Sequence, residues 1–152
     1  MITFLILLIS ILFKLDWRFY FFQYVLILNF MLKFSEEFVS KFNINFQFIN
    51  DIETQSKAIS IEKRRNIFYL YKEIMKSMTS VEGLSYLRVR LIYNNNVFSF
   101  KIQTQSSNST KNNDVRIMLL DSIQHKVQNI KATYSEKLIS VNEKEIWVHI
   151  KL

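Results

Sequence analysis

The sequence predicts an α+β protein: a two-layer α/β sandwich whose mixed sheet is covered by helices on one face, with an apolar N-terminal helix. Three observations predict it. Ile61–Met78 and Asp114–Ile130 carry apolar residues at the three-four spacing of amphipathic helices. Several short runs alternate polar and apolar residues at period two, as half-buried strands do. Ile2–Phe13 is apolar and uncharged. Strand runs mixed with two long helices are the material of a two-layer sandwich. At 152 residues the chain suits one domain plus a short extra element. The expected division is an N-terminal segment, 1–33, and a domain, 34–152.

The elements follow in order. Ile2–Phe13 is too short for a spanning helix, which needs about twenty residues. Lys14, Asp16 and Arg18 interrupt it, and Phe19–Leu32 is apolar again apart from Gln23 and Asn29. No basic region precedes the run and no small-residue cleavage site follows it, which argues against a cleaved signal peptide. The remaining readings are the tail of a membrane helix, an interfacial anchor, or a helix buried against a partner chain. Leu28–Phe42 reads as a helix with Phe30, Phe34, Phe38 and Phe42 on one face, a packing seam. Asn43–Ile49 alternates, with Ile44, Phe46 and Phe48 on one side. In the helix at Ile61–Met78 the stripe is Ile67, Tyr71, Ile74 and Met78; Ser60 can cap it and Glu62 suits its dipole. Tyr86–Tyr93 and Val97–Thr104 form a hairpin around Asn94-Asn95-Asn96, because asparagine tolerates left-handed geometry. Gln105–Asn113 is a polar loop. The next helix has Val115, Leu119, Ile123 and Val127 as its stripe. Lys137–Val141 and Glu145–Leu152 read as strands joined at Asn142-Glu143-Lys144.

Composition narrows the chemistry. The chain has one glycine, Gly83, and neither proline nor cysteine. Disulfides and thiolate metal sites are excluded. Loops that wrap phosphates use glycine for positive φ and close backbone approach, and that resource is nearly absent. A net charge of +7 favours anionic partners. The basic residues are scattered, and no basic stripe interleaved with aromatics emerges, so no nucleic-acid partner is expected.

Ser60-Ile-Glu-Lys-Arg-Arg-Asn-Ile-Phe, followed by Lys72-Glu73, resembles the first conserved helix of the ATP-binding domain of sensor histidine kinases, members of the GHKL superfamily with the Bergerat fold. Phe34-Ser-Glu-Glu-Phe and Asn43-Ile-Asn-Phe are similar to the lead-in of that domain. The resemblance runs from about Phe34 to the C-terminus and implies ATP and Mg²⁺ as cofactors, a kinase or response-regulator protein as partner, a homodimer, and a cytoplasmic ATPase-like domain that is membrane-associated through the N-terminal segment.

The family pattern places a glutamate on this helix as general base or water-orienting group, and an asparagine four residues later on Mg²⁺. Phosphoryl transfer needs such a hard cation held by oxygen ligands. Glu73 matches the glutamate and is the candidate catalytic residue; a solvated carboxylate paired with Lys72 or Lys76 is the structural alternative. Ser77 stands at the asparagine position, with Lys76 before it. The family then has Asp-x-Gly-x-Gly after the second hairpin strand, for the adenine amino group and close backbone passage. Thr104, Ser106 and Asn108 stand there, which makes Ser77, Thr104 and Ser106 the candidate nucleotide-binding positions, all substituted. The glycine-rich lid corresponds to Gln105–Asn113, without glycine. His125 and His149 both lie inside the ATPase-like region, where the family does not place its phosphoacceptor, and two distant histidines make no metal site. The expected function is therefore a degenerate, truncated histidine-kinase-like ATPase domain in two-component signalling, with nucleotide binding weak or lost. The alternatives are a non-catalytic membrane-associated dimerisation or interaction module, and an unrelated small α/β domain.

Overall fold

Ser60 caps the helix that follows it: its Oγ accepts the N–H of Lys63 at 3.2 Å, satisfying one of the first-turn donors. From there α2 runs over Ile61–Thr79. Ile67, Leu70, Tyr71, Ile74, Met75 and Met78 are buried, a broader stripe than the four residues singled out in the sequence. The computed structural model describes residues 26–52, 59–79, 83–107 and 113–152.

Ahead of α2, residues 26–39 form α1. Ile27, Met31, Ser35 and Val39 are its buried face, while Lys33, Glu36 and Glu37 are exposed. The expected apolar N-terminal helix finds no support among the described residues, where the first helix is amphipathic because it packs on a core on one side only. The run Ile2–Phe13 lies outside the described residues. No helix among the described residues is long and apolar enough to cross a membrane. α1 continues across position 33 and stops at 39, three residues short of Phe42. Asn43 then takes φ 52°, a left-handed position that asparagine accepts readily.

The sheet holds β1 (Asn45–Asp51), β2 (Leu84–Asn94), β3 (Val97–Ser106), β4 (Ala132–Leu138) and β5 (Glu143–Lys151), in the order β1-β2-β3-β5-β4. β1 and β2 are parallel, so the chain must cross over between them, and α2 is that crossover. The other pairs are antiparallel. Asn95 and Asn96 have φ 49° and 62°, the positive pair that lets the β2–β3 turn match strand twist. α3 (Asn113–Asn129) leads to the far edge of the sheet. Lys131, at φ 53°, ends its last turn.

Leu87, Val89, Leu91, Phe98, Phe100, Ile102, Ile146, Val148 and Ile150 are fully buried on one side of the sheet. Phe100 meets Tyr71 edge to face at 5.6 Å, and Tyr71 and Phe68 in turn meet Phe34 of α1. This is the mixed sheet under helices that the sequence predicts. The last hairpin differs from expectation. β4 begins at Ala132, five residues before the predicted strand, and the turn occupies 139–142, not 142–144. Inward-facing Glu136 breaks the apolar alternation of β4, and pairing with β5 forms the strand regardless.

Candidate functional site

Asn66, Tyr69, Glu73 and Ser77 succeed one another at three-four spacing along α2. The first two line a cavity of about 210 Å³ with His125, Lys126 and Asn129 of α3 and Ile130 just beyond it. Glu73 keeps 21% of its side chain exposed and pairs with Lys76 at 3.4 Å. Ser77 donates its hydroxyl to the carbonyl of Ile74 at 2.7 Å, a bond inside its own helix.

Thr104 and Ser106 close β3. β3 ends where β2 begins, and β2 begins shortly after α2, so the topology carries all four candidate residues toward one end of the molecule. The two strands are irregular there. The register shifts between Leu84 and Tyr86, and Gly83, at φ 76°, takes hydrogen bonds from the Ser107 N–H at 2.8 Å and the Ser107 hydroxyl at 3.2 Å. Bulges of this kind re-aim side chains at strand ends. Thr104 is buried, and its hydroxyl reaches the Lys144 carbonyl at 3.5 Å, a long contact. The Ser106 N–H donates to the carbonyl of Asn142 at 2.9 Å. Asn108 lies outside the described residues.

The sheet register adds residues that sequence reasoning missed. Leu87, Thr104, Lys144 and Leu138 form one row across the sheet. In the next row Ile146 lies beside Glu136. Lys144 and Glu136 form an ion pair with side chains 16% and 21% exposed, and Tyr134 donates its hydroxyl to Glu136 at 2.9 Å. A small charged network therefore borders Thr104. The signal was present in the phase of β5: the even positions Ile146, Val148 and Ile150 extend back to Lys144, which the sequence pattern places in a turn.

The two histidines do not meet. His125 is exposed, its Nδ1 3.1 Å from the Asn129 amide. His149 is exposed on the opposite side of the sheet, 2.8 Å from Ser99 and stacked on Trp147. On that side Glu145 accepts from Lys101 at 2.7 Å, Trp147 at 2.5 Å and Gln103 at 3.2 Å. The bond from Lys101 is the main reason its carboxyl sits below the ordinary carboxylate range. A second cavity, of about 380 Å³, opens between α1 and α2 and is lined by Leu26, Phe30, Phe68, Arg64 and Arg65 among others. Neither cavity is lined by Glu73, Ser77, Thr104 or Ser106. Among the described residues no three His, Cys, Asp or Glu side chains gather as metal ligands do.

Solved structures decide the architecture. Histidine kinase AdeS of Acinetobacter baumannii aligns with 85% of this chain at TM-score 0.63 and 11% identity. The catalytic domain of histidine kinase ThkA aligns with 85% at TM-score 0.63 and 13% identity. This chain has the fold of a histidine kinase catalytic domain. The histidine kinase domain of the blue-light activated kinase of Erythrobacter litoralis aligns with 83% of it, at TM-score 0.61 and 10% identity. This chain spans 92% of the ThkA domain but only 64% of the AdeS chain and 61% of the Erythrobacter one. No protein-family model and no curated protein matches it.

Proposed function

We propose that this chain is a degenerate histidine-kinase-like ATPase domain of a two-component system, in which ATP–Mg²⁺ binding is weak or lost. The observation that carries the reading is the state of the candidate positions. The Mg²⁺ position is Ser77, its hydroxyl bonded to its own helix and Lys76 beside it. The adenine position is Thr104, an uncharged hydroxyl directed at the Lys144 carbonyl. Ser106 stands where the family uses glycine, and its N–H is taken by Asn142. Glu73 alone keeps the family's residue, and it pairs with Lys76. These donors fit an ATP–Mg²⁺ complex poorly: only one carboxylate remains, next to a cation that repels the metal.

A lost hydrogen bond to a charged group costs roughly 1.5–3 kcal/mol. Two such losses weaken binding about a hundredfold or more, at about 1.4 kcal/mol per decade. Calorimetry with ATP, with and without Mg²⁺, is the test. The expected result is a millimolar dissociation constant or no binding, and no phosphohistidine. A micromolar constant that worsens in Glu73→Ala would overturn the reading. Restoring Ser77→Asn and Thr104→Asp together should not bring back activity, because the lid glycines are still lacking.

In this reading the domain works through protein contacts, with a kinase or response-regulator protein as partner, on the cytoplasmic side of a membrane to which the N-terminal segment attaches it. The non-catalytic interaction module is the second reading, and nucleotide binding separates it from a working ATPase.

A further inference from the structure

We propose that the cavity between α2 and α3 is a binding site for a phosphate group, carried by the free ion or by a small phosphate monoester. Its volume is about 210 Å³. A water takes ~30 Å³ in the liquid, so the cavity admits a tetrahedral oxyanion with a few waters. It is smaller than the roughly 300–1,000 Å³ of sites for drug-sized ligands. Its walls are Asn66 and Tyr69 from α2, His125, Lys126 and Asn129 from α3, and Ile130 just beyond it. All but Ile130 carry a hydrogen-bond donor, and Lys126 adds a positive charge. No carboxylate is among the described residues that line it. Donors and a cation without an acid are the lining that an anion needs.

These donors have capacity to spare. The Asn66 carboxamide is half-buried, and neither it nor the Tyr69 hydroxyl has a hydrogen-bond partner among the described residues. Lys126 donates to the hydroxyl of Ser122, one turn back along α3, at 3.3 Å. That bond uses one of the three ammonium N–H groups, and no acid pairs with Lys126 among the described residues. The Asn129 amide donates to His125 Nδ1 at 3.1 Å, which leaves the ring proton on Nε2 as a further donor. A cation in the last turn of α3 also suits the helix dipole. That role needs neither the amide and hydroxyl that α2 adds to the same cavity nor the cavity itself. A carboxylate accepts through two oxygens in one plane, whereas a phosphate accepts through three spread around the phosphorus. The donors here come from two packed helices, which favours the tetrahedral group.

The chain has two histidines, His125 in the cavity wall and His149 on the opposite side of the sheet, so imidazole NMR reads the site and a control at once. The experiment titrates inorganic phosphate into the full-length chain, carrying isotope-labelled histidine, in detergent micelles. The pH and ionic strength are fixed, with chloride as the balancing anion. The expected result is a saturable shift of the His125 resonance and none of His149. Binding should weaken about tenfold or more in Lys126→Gln, through the loss of one charged hydrogen bond, and severalfold in Asn66→Ala. An unchanged His149 resonance in both variants shows that the fold is intact. Glycerol phosphate in place of the ion separates the two sources: tighter binding of the ester assigns the cavity to a phosphorylated small molecule, tighter binding of the ion to phosphate itself. A His125 resonance that does not move, or moves without saturating, overturns the proposal. So does a dissociation constant that Lys126→Gln leaves unchanged, or acetate binding as well as phosphate. None of Glu73, Ser77, Thr104 and Ser106 lines the cavity, so the result stands whichever way the ATP measurement falls.

Discussion

At the scale of single residues, the most informative contact is one polar pair in the apolar core. Tyr71 is completely buried, and its hydroxyl lies 2.5 Å from Ser35. Ser35 spends its one hydroxyl proton on the carbonyl of Met31 at 2.7 Å, so Tyr71 is the donor to Ser35. Burial pushes the Tyr71 phenol well above its ordinary range and keeps it neutral. The two sides of the bond are unequal. Tyr71→Phe leaves Ser35 still bonded to Met31 and should cost about 1 kcal/mol. Ser35→Ala strands a buried phenol and should cost more, about 1–3 kcal/mol. Urea unfolding of both variants checks the order; equal losses would show that the pair contributes only its bond. Glu145 gives a second prediction at this scale. Its folded pKa lies below the unfolded value, so it stabilises the fold above the ordinary carboxylate range. That stabilisation is lost as the pH falls through the lower folded value. Glu145→Gln should unfold at lower urea than the parent at neutral pH, and the gap should close as the pH drops below about 4.5. A gap that persists undiminished into acid would mean that packing, not charge, is what the variant loses.

At the scale of elements, the β2–β3 hairpin under α2 holds the fold together. The alternation of Leu87, Val89 and Leu91 against Phe98, Phe100 and Ile102 is legible in the amino-acid pattern alone, and all six are fully buried. Phe100 also touches Tyr71, so its loss opens a cavity between sheet and helix. Phe100→Ala should cost about 3–5 kcal/mol, and Val89→Ala less, since it removes fewer atoms. Chemical denaturation reads both; a loss below about 1 kcal/mol for Phe100→Ala would be that of a surface site, not a core one. β4 shows the opposite case. Its inner face carries Tyr134 and Glu136 rather than a row of aliphatics, so its own pattern does not announce a strand. Seven pairings to β5, the next strand of the same hairpin, make it one.

At the scale of the whole molecule, a +7 chain with a 25-residue N-terminal stretch outside the described residues must be tested intact. In the proposed reading, the apolar run from Ile2 and the flanking Lys14 and Arg18 would attach the chain at the headgroup layer. Deleting Met1–Arg18 should move the protein from the membrane fraction to the soluble one on fractionation. Full-length chain that is soluble without detergent would count against the anchor.

By itself the sequence determined the α+β class, both long helices, the asparagine hairpin and the Ser60 cap. Each of these rests on local periodicity or on a backbone preference that a few neighbouring residues set. It also supplied the likeness at Ser60–Phe68 and Lys72-Glu73 that pointed to the fold the solved structures share. Only the tertiary structure decided where β4 begins, and that β1 is parallel to β2 while β5 lies between β3 and β4. It alone brought Lys144 and Glu136 beside Thr104, from stretches whose sequence pattern reads as a turn and a gap. The physical reason is range. Period and capping are written in stretches of a few residues. Strand order, and the company that a polar side chain keeps on a sheet, are set by pairings between residues far apart in sequence, as Thr104 and Lys144 are, or Val97 and Lys151.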